Sequence, residues 1–66
     1  MKVVINGKEQ EVAAKLTLTG LLKSLNVASK AVAVELNREV VARERYSDIC
    51  LADNDQVEIV QFVGGG

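Results

Sequence analysis

An apolar run, Val3-Val4-Ile5, precedes Asn6-Gly7 near the start of the chain, and a polar run that ends at Val12 follows it. Asn-Gly between two strand-like runs is a strong signal of a β-hairpin, because both residues accept the positive φ that a two-residue turn requires. Such a turn sets a register in which Met1, Val3, Ile5 and Val12 share one face, while Val4 lies on the other face. The predicted pairs are Ile5 with Lys8, Val3 with Gln10 and Met1 with Val12.

The segment after the hairpin carries leucines at helical spacing. Positions i, i+3, i+4 and i+7 are occupied, which predicts an amphipathic helix from Thr17 to Leu25. Thr17 is suited to cap its start, and Asn26 to end it in the left-handed conformation. Gly20 inside this helix costs about 1 kcal/mol relative to alanine, so we expect a sheet to hold the helix in place. The stripe consists of Leu18, Leu21, Leu22 and Leu25.

The second half of the chain predicts three more strands. Residues 31–36 alternate between large apolar side chains and smaller or charged ones, which is typical of a half-buried strand. A turn at Asn37-Arg38 leads into a short strand over residues 39–41. After the turn cluster Asp53-Asn54-Asp55, residues 56–63 form the last strand. The larger side chains of the first of these strands are Val32, Val34 and Leu36.

This order of elements predicts an α+β fold of the β-grasp type, of which ubiquitin is the familiar example. One helix packs across one face of a mixed sheet of four to five strands and buries the apolar stripes. The first and last strands lie parallel at the centre, because the crossover carries the chain back over the sheet. We expect residues 1–63 to form this single domain and residues 64–66 a flexible tail. The irregular segment 42–52 is expected to attach through Tyr46, Ile49 and Leu51.

The composition of the chain excludes several kinds of functional site. The chain has 66 residues, with eight basic and nine acidic side chains, one cysteine and no histidine. This excludes histidine-based catalysis and a tetrahedral zinc site built from His and Cys, and the charge balance argues against a nucleic-acid partner. We therefore expect neither a metal nor a cofactor. Since no apolar run is long enough for a membrane helix or a signal peptide, the sequence predicts a cytoplasmic protein with no membrane partner.

The single cysteine is a candidate for sulfur chemistry. Cys50 lies between Ile49 and Leu51 in an apolar stretch, and its nearest charges in the sequence are Asp48 and Asp53. Acidic neighbours disfavour the thiolate form that makes a cysteine reactive. The pattern therefore favours a small residue in or near the core.

Three consecutive glycines, Gly64, Gly65 and Gly66, follow the last predicted strand. A segment without side chains has the smallest cross-section a peptide can have, so it can enter a narrow tunnel in another protein. Its carboxylate is ionised at pH 7 and is a poor electrophile, which must be activated, most simply as an acyl-adenylate. The chain has no phosphate-binding loop, so we expect it to be the substrate of a partner enzyme and not an enzyme. A frayed terminus and a truncated linker are the alternative explanations.

The sheet face away from the helix is a second candidate site. Val4, Val60 and Phe62 alternate onto this face, together with Lys2 and Glu58. Exposed apolar side chains beside the glycine segment favour a docking site for partner enzymes. The alternative is that Phe62 folds back over the edge of the core.

The whole chain resembles the sulfur carrier family of thiamine biosynthesis, the ThiS family, whose members end in Gly-Gly. The most specific part of this resemblance is Val34-Glu35-Leu36-Asn37 in combination with the terminal glycines. Ala42 stands where the family usually has proline. Asn54 replaces a glycine in the late turn, which is a mild change because asparagine tolerates the left-handed conformation. The resemblance rests on residues 1–7, 17–25, 34–41, 43–46 and 55–66.

The resemblance implies a cycle of reactions on Gly66. An E1-like enzyme would adenylate this residue, and sulfur from a cysteine desulfurase persulfide would displace AMP and leave a thiocarboxylate. Thiazole synthase would then take the sulfur into a thiazole ring, while Gly65 and Gly64 supply reach and a narrow profile. Three other functions stay open: the small subunit of molybdopterin synthase, a ubiquitin-like protein modifier, and an interaction module whose tail is incidental.

Overall fold

The strands of this protein form one mixed sheet in the computed structural model, which describes residues 1–62. The strand order is β2-β1-β5-β3-β4, with β1 and β5 parallel and the other neighbours antiparallel. Two short 3-10 helices, Ser29–Ala31 and Arg43–Arg45, lie in the connections. The other elements are β1 (Lys2–Ile5), β2 (Lys8–Glu11), α1 (Leu18–Ser24), β3 (Val32–Leu36), β4 (Glu39–Val41) and β5 (Gln56–Gln61).

The first hairpin has the predicted register. Ile5 pairs with Lys8, and the turn between them has φ values of 50° at Asn6 and 83° at Gly7. A turn with positive φ at both central residues has a backbone twist that matches the twist of the flanking strands. The face of the hairpin that packs toward the core carries Val3 and Ile5, both buried, and the partly buried Met1 and Val12.

Helix α1 also follows the sequence pattern. Thr17 caps it, because its Oγ1 accepts a hydrogen bond from the Gly20 N–H at 3.0 Å, and Asn26 ends the segment at φ 63°. Leu18, Leu21 and Leu22 are buried against the sheet, while Leu25 is half-buried at the helix end. Seven residues rise only about 10 Å, and no helix among residues 1–62 is long and apolar enough to cross a membrane.

The second half of the chain departs from the predicted bounds by one or two residues. Ala31 belongs to a 3-10 helix, so β3 begins at Val32. The turn after β3 has positive φ at both residues, 50° at Asn37 and 73° at Arg38. Strand β5 ends at Gln61, and Val63, the predicted last residue of that strand, lies outside the described residues.

The core lies between α1 and one face of the sheet. Tyr46 and Leu51 attach the irregular segment to it as predicted, with Ile49 partly buried against them. The α+β prediction is confirmed, with five strands among residues 1–62 and β5 and β1 adjacent and parallel inside the sheet. The buried residues are Val3, Ile5, Leu18, Leu21, Leu22, Val32, Val34, Tyr46, Leu51 and Val57.

The prediction that Cys50 is a core residue is wrong, because its side chain is exposed. Cys50 forms an isolated antiparallel bridge with Thr17, and its neighbours Ile49 and Leu51 are half-buried and buried. The Leu51 N–H donates to the Leu16 carbonyl at 2.8 Å. Successive side chains of an extended chain point in opposite directions, so burial of Leu51 turns the thiol of Cys50 outward.

Candidate functional site

The three glycines predicted to carry the chemistry, Gly64, Gly65 and Gly66, lie outside the described residues. The structure does describe the strand that leads to them. Strand β5 has β1 on one side and β3 on the other, and the Phe62 N–H extends its ladder by donating to the Ala31 carbonyl at 2.9 Å. The strand that precedes the glycines in the sequence therefore has neighbours on both sides.

Asn6 binds β5 from the β1 side. Its backbone N–H donates to the Val57 carbonyl at 2.9 Å. Its side chain then makes two hydrogen bonds with one residue: Oδ1 accepts from the Ile59 N–H at 2.8 Å, and Nδ2 donates to the Ile59 carbonyl at 3.3 Å. A turn residue thus supplies the ladder partner that a longer β1 would have supplied.

Asn37 makes a corresponding contact at the start of β5. Its Oδ1 accepts from the Gln56 N–H at 2.9 Å, and its own N–H donates to the Gln56 carbonyl at 2.7 Å. Its Nδ2 donates to Oδ1 of Asp55 at 3.0 Å, while Oδ2 of Asp55 accepts from the Ala52 N–H at 2.7 Å. The turn before β5 is therefore tied to the hairpin turn between β3 and β4.

The open face of the sheet, the face away from α1, exposes apolar side chains near the end of β5. Val60 is 59% exposed and Phe62 is 61% exposed. Val60 faces Ala33 across the β3–β5 ladder, so a small apolar residue extends the patch. Phe62 is mostly exposed, and it lines a groove whose walls also include Val32 and Tyr46; its role in docking stays a prediction.

Val4, the third residue predicted for docking, lies apart from the other two. It is half-buried, and it is aligned with Gln56 on β5 and with Glu9 on β2. Gln56 and Val60 are four residues apart on β5, which is about 13 Å along a strand. The structure thus brings Phe62 and Val60 together but places Val4 toward the opposite end of the face.

Val40 belongs to the exposed apolar patch, although the sequence analysis did not single it out. It is 76% exposed and faces Glu35 across the β3–β4 ladder. A groove of about 370 Å³ has Phe62, Val40 and Ala33 in its lining. The alternation of side chains along β4 predicts that Val40 is exposed. Val41 pairs with buried Val34, so the side chain of the adjacent Val40 must face the other way. We call Val60, Phe62 and Val40 the open-face patch.

Carboxylates lie between the open-face patch and Val4. Glu35 and Glu58 are directly opposed in the β3–β5 ladder, and both are exposed. Directly opposed residues have Cβ atoms about 5 Å apart, and like charges in such a pair are destabilising. Ion pairs within residues 1–62 join Met1 to Glu11 and Lys2 to Glu9 and include neither of these carboxylates. The open face therefore presents unpaired negative charge beside apolar surface.

Known proteins are similar to this chain in sequence and in structure. Residues 3–66 match the model of the ThiS family. The sulfur carrier protein ThiS of Bacillus subtilis is 48% identical over 50 residues, which is 76% of each chain. The crystal structure of the thiamine biosynthesis protein ThiS from Geobacter metallireducens superimposes with a TM-score of 0.86 at 43% identity, and the match covers all of both chains.

Some relatives are much longer than this chain. A thiazole synthase from Paramagnetospirillum magneticum is 47% identical over all 66 residues, and this chain spans only 20% of its length. A thiazole synthase from Magnetococcus marinus gives 46% over the same span and the same share of length. Because the family model covers residues 3–66 and solved and curated relatives agree with it, this chain belongs to the ThiS family.

Proposed function

We propose that this protein carries sulfur for thiazole formation in thiamine biosynthesis, as a thiocarboxylate on Gly66. The observation that carries the proposal is the range of the family match, because the matched residues extend to Gly66 and so include the three glycines. The relatives with assigned names are sulfur carriers of thiamine biosynthesis and thiazole synthases. These names favour the thiamine branch over the molybdopterin branch and over a protein modifier.

The chemistry on Gly66 requires a partner that uses ATP. A carboxylate oxygen of Gly66 attacks the α-phosphorus of ATP in an E1-like enzyme, and pyrophosphate leaves. The terminal sulfur of a desulfurase-derived persulfide then attacks the acyl carbon, and AMP leaves. A thiol cleaves the S–S bond of the resulting acyl disulfide, so the thiocarboxylate is released and the two thiol sulfurs end as a disulfide. Adenylation makes the attack of the persulfide sulfur possible because AMP is a far better leaving group than oxide.

The open-face patch is proposed as the surface on which partners dock. Val60 and Phe62 expose apolar area immediately before the glycine segment, and exposed apolar patches on small domains mark interaction sites. Gly66 is four positions after Phe62, which limits the distance between their Cα atoms to about 14 Å. A partner that holds the patch therefore has its active site close to the tail. Val4 is proposed as a separate, more distant contact on the same face.

Thiazole synthase is proposed as the acceptor of the sulfur. Segments similar to this whole chain occur within longer proteins named thiazole synthase in two organisms. Joining a carrier and its acceptor in one polypeptide raises their effective concentration, which is useful only where the two act together. This supports a direct encounter between the present chain and a thiazole synthase.

Intact-mass spectrometry of the protein from its own cells tests the proposal. We expect a species heavier by the difference between one sulfur and one oxygen atom, with fragment ions that place the change on Gly66. Exposed Cys50 can gain an oxygen of the same nominal mass, so a Cys50→Ser variant is the matched control and should keep the heavy species.

Two further variants sharpen this test. Deletion of Gly66, or addition of one alanine after it, should abolish the heavy species while circular dichroism and melting temperature stay unchanged. An isopeptide conjugate through Gly66 in place of the sulfur species would contradict sulfur carriage and support a protein modifier. A chain that carries neither change, in cells that are making thiamine, would contradict both.

A further inference from the structure

Strand β1 is shorter than the strand it supports. It ends at Ile5, where the chain turns away, and its last aligned partner on β5 is Val57. Strand β5 continues to Gln61. Past Val57, the β1 side of β5 is met by the side chain of Asn6, through the two hydrogen bonds with Ile59. We call this pair of bonds the Asn6 clamp.

The end of β5 is held from both sides, because β3 pairs with it as far as Gln61 and the Asn6 clamp supports it on the β1 side. The Asn6 clamp grips Ile59 on one side, and on the other side the Phe62 N–H donates to the Ala31 carbonyl. Phe62 lies three residues beyond Ile59, about 10 Å along an extended chain. A tilt of about 10° at Ile59 would therefore move the backbone at Phe62 by about 2 Å. The clamp thus influences both the open-face patch and the point from which the glycine segment departs.

We infer that Asn6 is a positioning residue for reaction at the glycine end, which acts by fixing the direction in which β5 leaves the sheet. The inference rests on the proposed function, in which the Gly66 carbonyl reacts inside a partner's active site. Acyl transfer depends steeply on placement, and a misplacement of about 1 Å can cost about a hundredfold in rate. A strand that is held on both sides has fewer directions open to it at Phe62, the last described residue.

Asn37 offers a matched comparison within the same molecule. Both asparagines have φ 50° at the first position of a two-residue turn, and each accepts a hydrogen bond from a β5 backbone N–H. Both are exposed. The difference is position: Asn37 binds Gln56 at the start of β5, whereas Asn6 binds Ile59 near its end. Loss of either side chain removes two hydrogen bonds, but only the loss at Asn6 removes the β1-side support near the end of β5.

The experiment compares Asn6→Gly with Asn37→Gly. Glycine accepts positive φ, so each turn is retained while the side-chain bonds are lost. Amide exchange followed by NMR should show Ile59 losing protection by about tenfold or more in Asn6→Gly, with Gln56 affected instead in Asn37→Gly. In ATP–pyrophosphate exchange with the cognate adenylating enzyme, we expect kcat to fall about tenfold for Asn6→Gly. Asn37→Gly should stay within about twofold of wild type, and the KM for ATP should not change in either variant.

A second variant covers the case in which Asn6→Gly is too unstable to assay. Asn6→Asp keeps an oxygen for the Ile59 N–H but replaces the Nδ2 donor with a second acceptor oxygen facing the Ile59 carbonyl. Because the stronger of the two bonds is kept, it should fold and show a smaller fall in kcat than Asn6→Gly. Equal kcat for the two glycine variants, or lost Ile59 protection with wild-type kcat, would overturn the inference alone. Failure of the wild-type chain to support pyrophosphate exchange would overturn the proposed function, and this inference with it.

Discussion

The two faces of the sheet use the same strands for different purposes. On the face toward α1, Val34 and Val57 are almost completely buried, at 0% and 1% exposed. On the open face, Val60 and Val40 expose 59% and 76% of their surface. Val57 and Val60 both lie on β5, so one stretch of backbone carries both a core side chain and a surface side chain. One face supplies the hydrophobic stabilisation of the fold, and the other leaves apolar area available for a partner.

The largest expected effect comes from a change on the buried face. Leu22→Ala removes a side chain that is 1% exposed between α1 and the sheet. We expect the free energy of unfolding to fall by about 2–5 kcal/mol, because burial is lost and a cavity remains. Urea denaturation followed by circular dichroism measures this change.

Val60→Ala is the matched control for Leu22→Ala, since it shortens an apolar side chain on the other face. Its effect on the free energy of unfolding should stay within about 0.5 kcal/mol. Comparable losses in the two variants would show that the open face also contributes to the core, and would remove the distinction between the faces.

The next effect concerns partner binding and not stability. Phe62→Ser should raise the Kd for the adenylating partner by about tenfold or more, because exposed aromatic side chains are common anchors of interfaces. The free energy of unfolding should change by less than about 0.5 kcal/mol, since Phe62 lies beyond the end of β5 and is mostly exposed. Isothermal titration calorimetry and thermal melts measure the two quantities.

Lys23→Ser provides the control for Phe62→Ser, because Lys23 is exposed on α1, on the other side of the sheet. It should leave the Kd unchanged. A large loss of melting temperature for Phe62→Ser with unchanged binding would contradict the docking proposal.

The smallest expected effect lies in the carboxylate pair of the open face. Glu58→Gln removes the like-charge contact with Glu35, so the free energy of unfolding should rise by a few tenths of a kcal/mol, roughly, at low ionic strength. Because both groups are exposed, salt should erase this gain. Glu39→Gln is the control, since Glu39 faces Leu36 across its ladder. An equal gain for Glu39→Gln would mean that net charge, and not the cross-strand pair, is responsible.

Local patterns were sufficient for most of the fold. The Asn6-Gly7 turn, the cap at Thr17, the left-handed end at Asn26 and the burial of the leucine stripe were all predicted and are confirmed. Each depends on residues within a few positions of one another, where steric and hydrogen-bond preferences act directly. Asn54, at φ 71°, likewise adopts the left-handed conformation expected for a substitute of glycine.

Features that depend on distant parts of the chain were missed or misjudged. Cys50 was expected in or near the core because its neighbours are apolar, but its bridge with Thr17 sets the alternation that exposes it. Val4 was grouped with Val60, although the β1–β5 register separates them. The hydrogen bonds of Asn6 with Ile59 join residues 53 positions apart, and no local pattern contains them.

The sequence by itself determined which segments are helix or strand, which face of each is apolar, and that three glycines follow the last strand. These properties follow from the period of the side chains and from the φ preferences of glycine and asparagine, which act locally. Only the tertiary structure decided which exposed residues are neighbours on the open face and which side chain holds the end of β5. Such contacts depend on strand register between distant segments, and register is established by the packing of the whole domain.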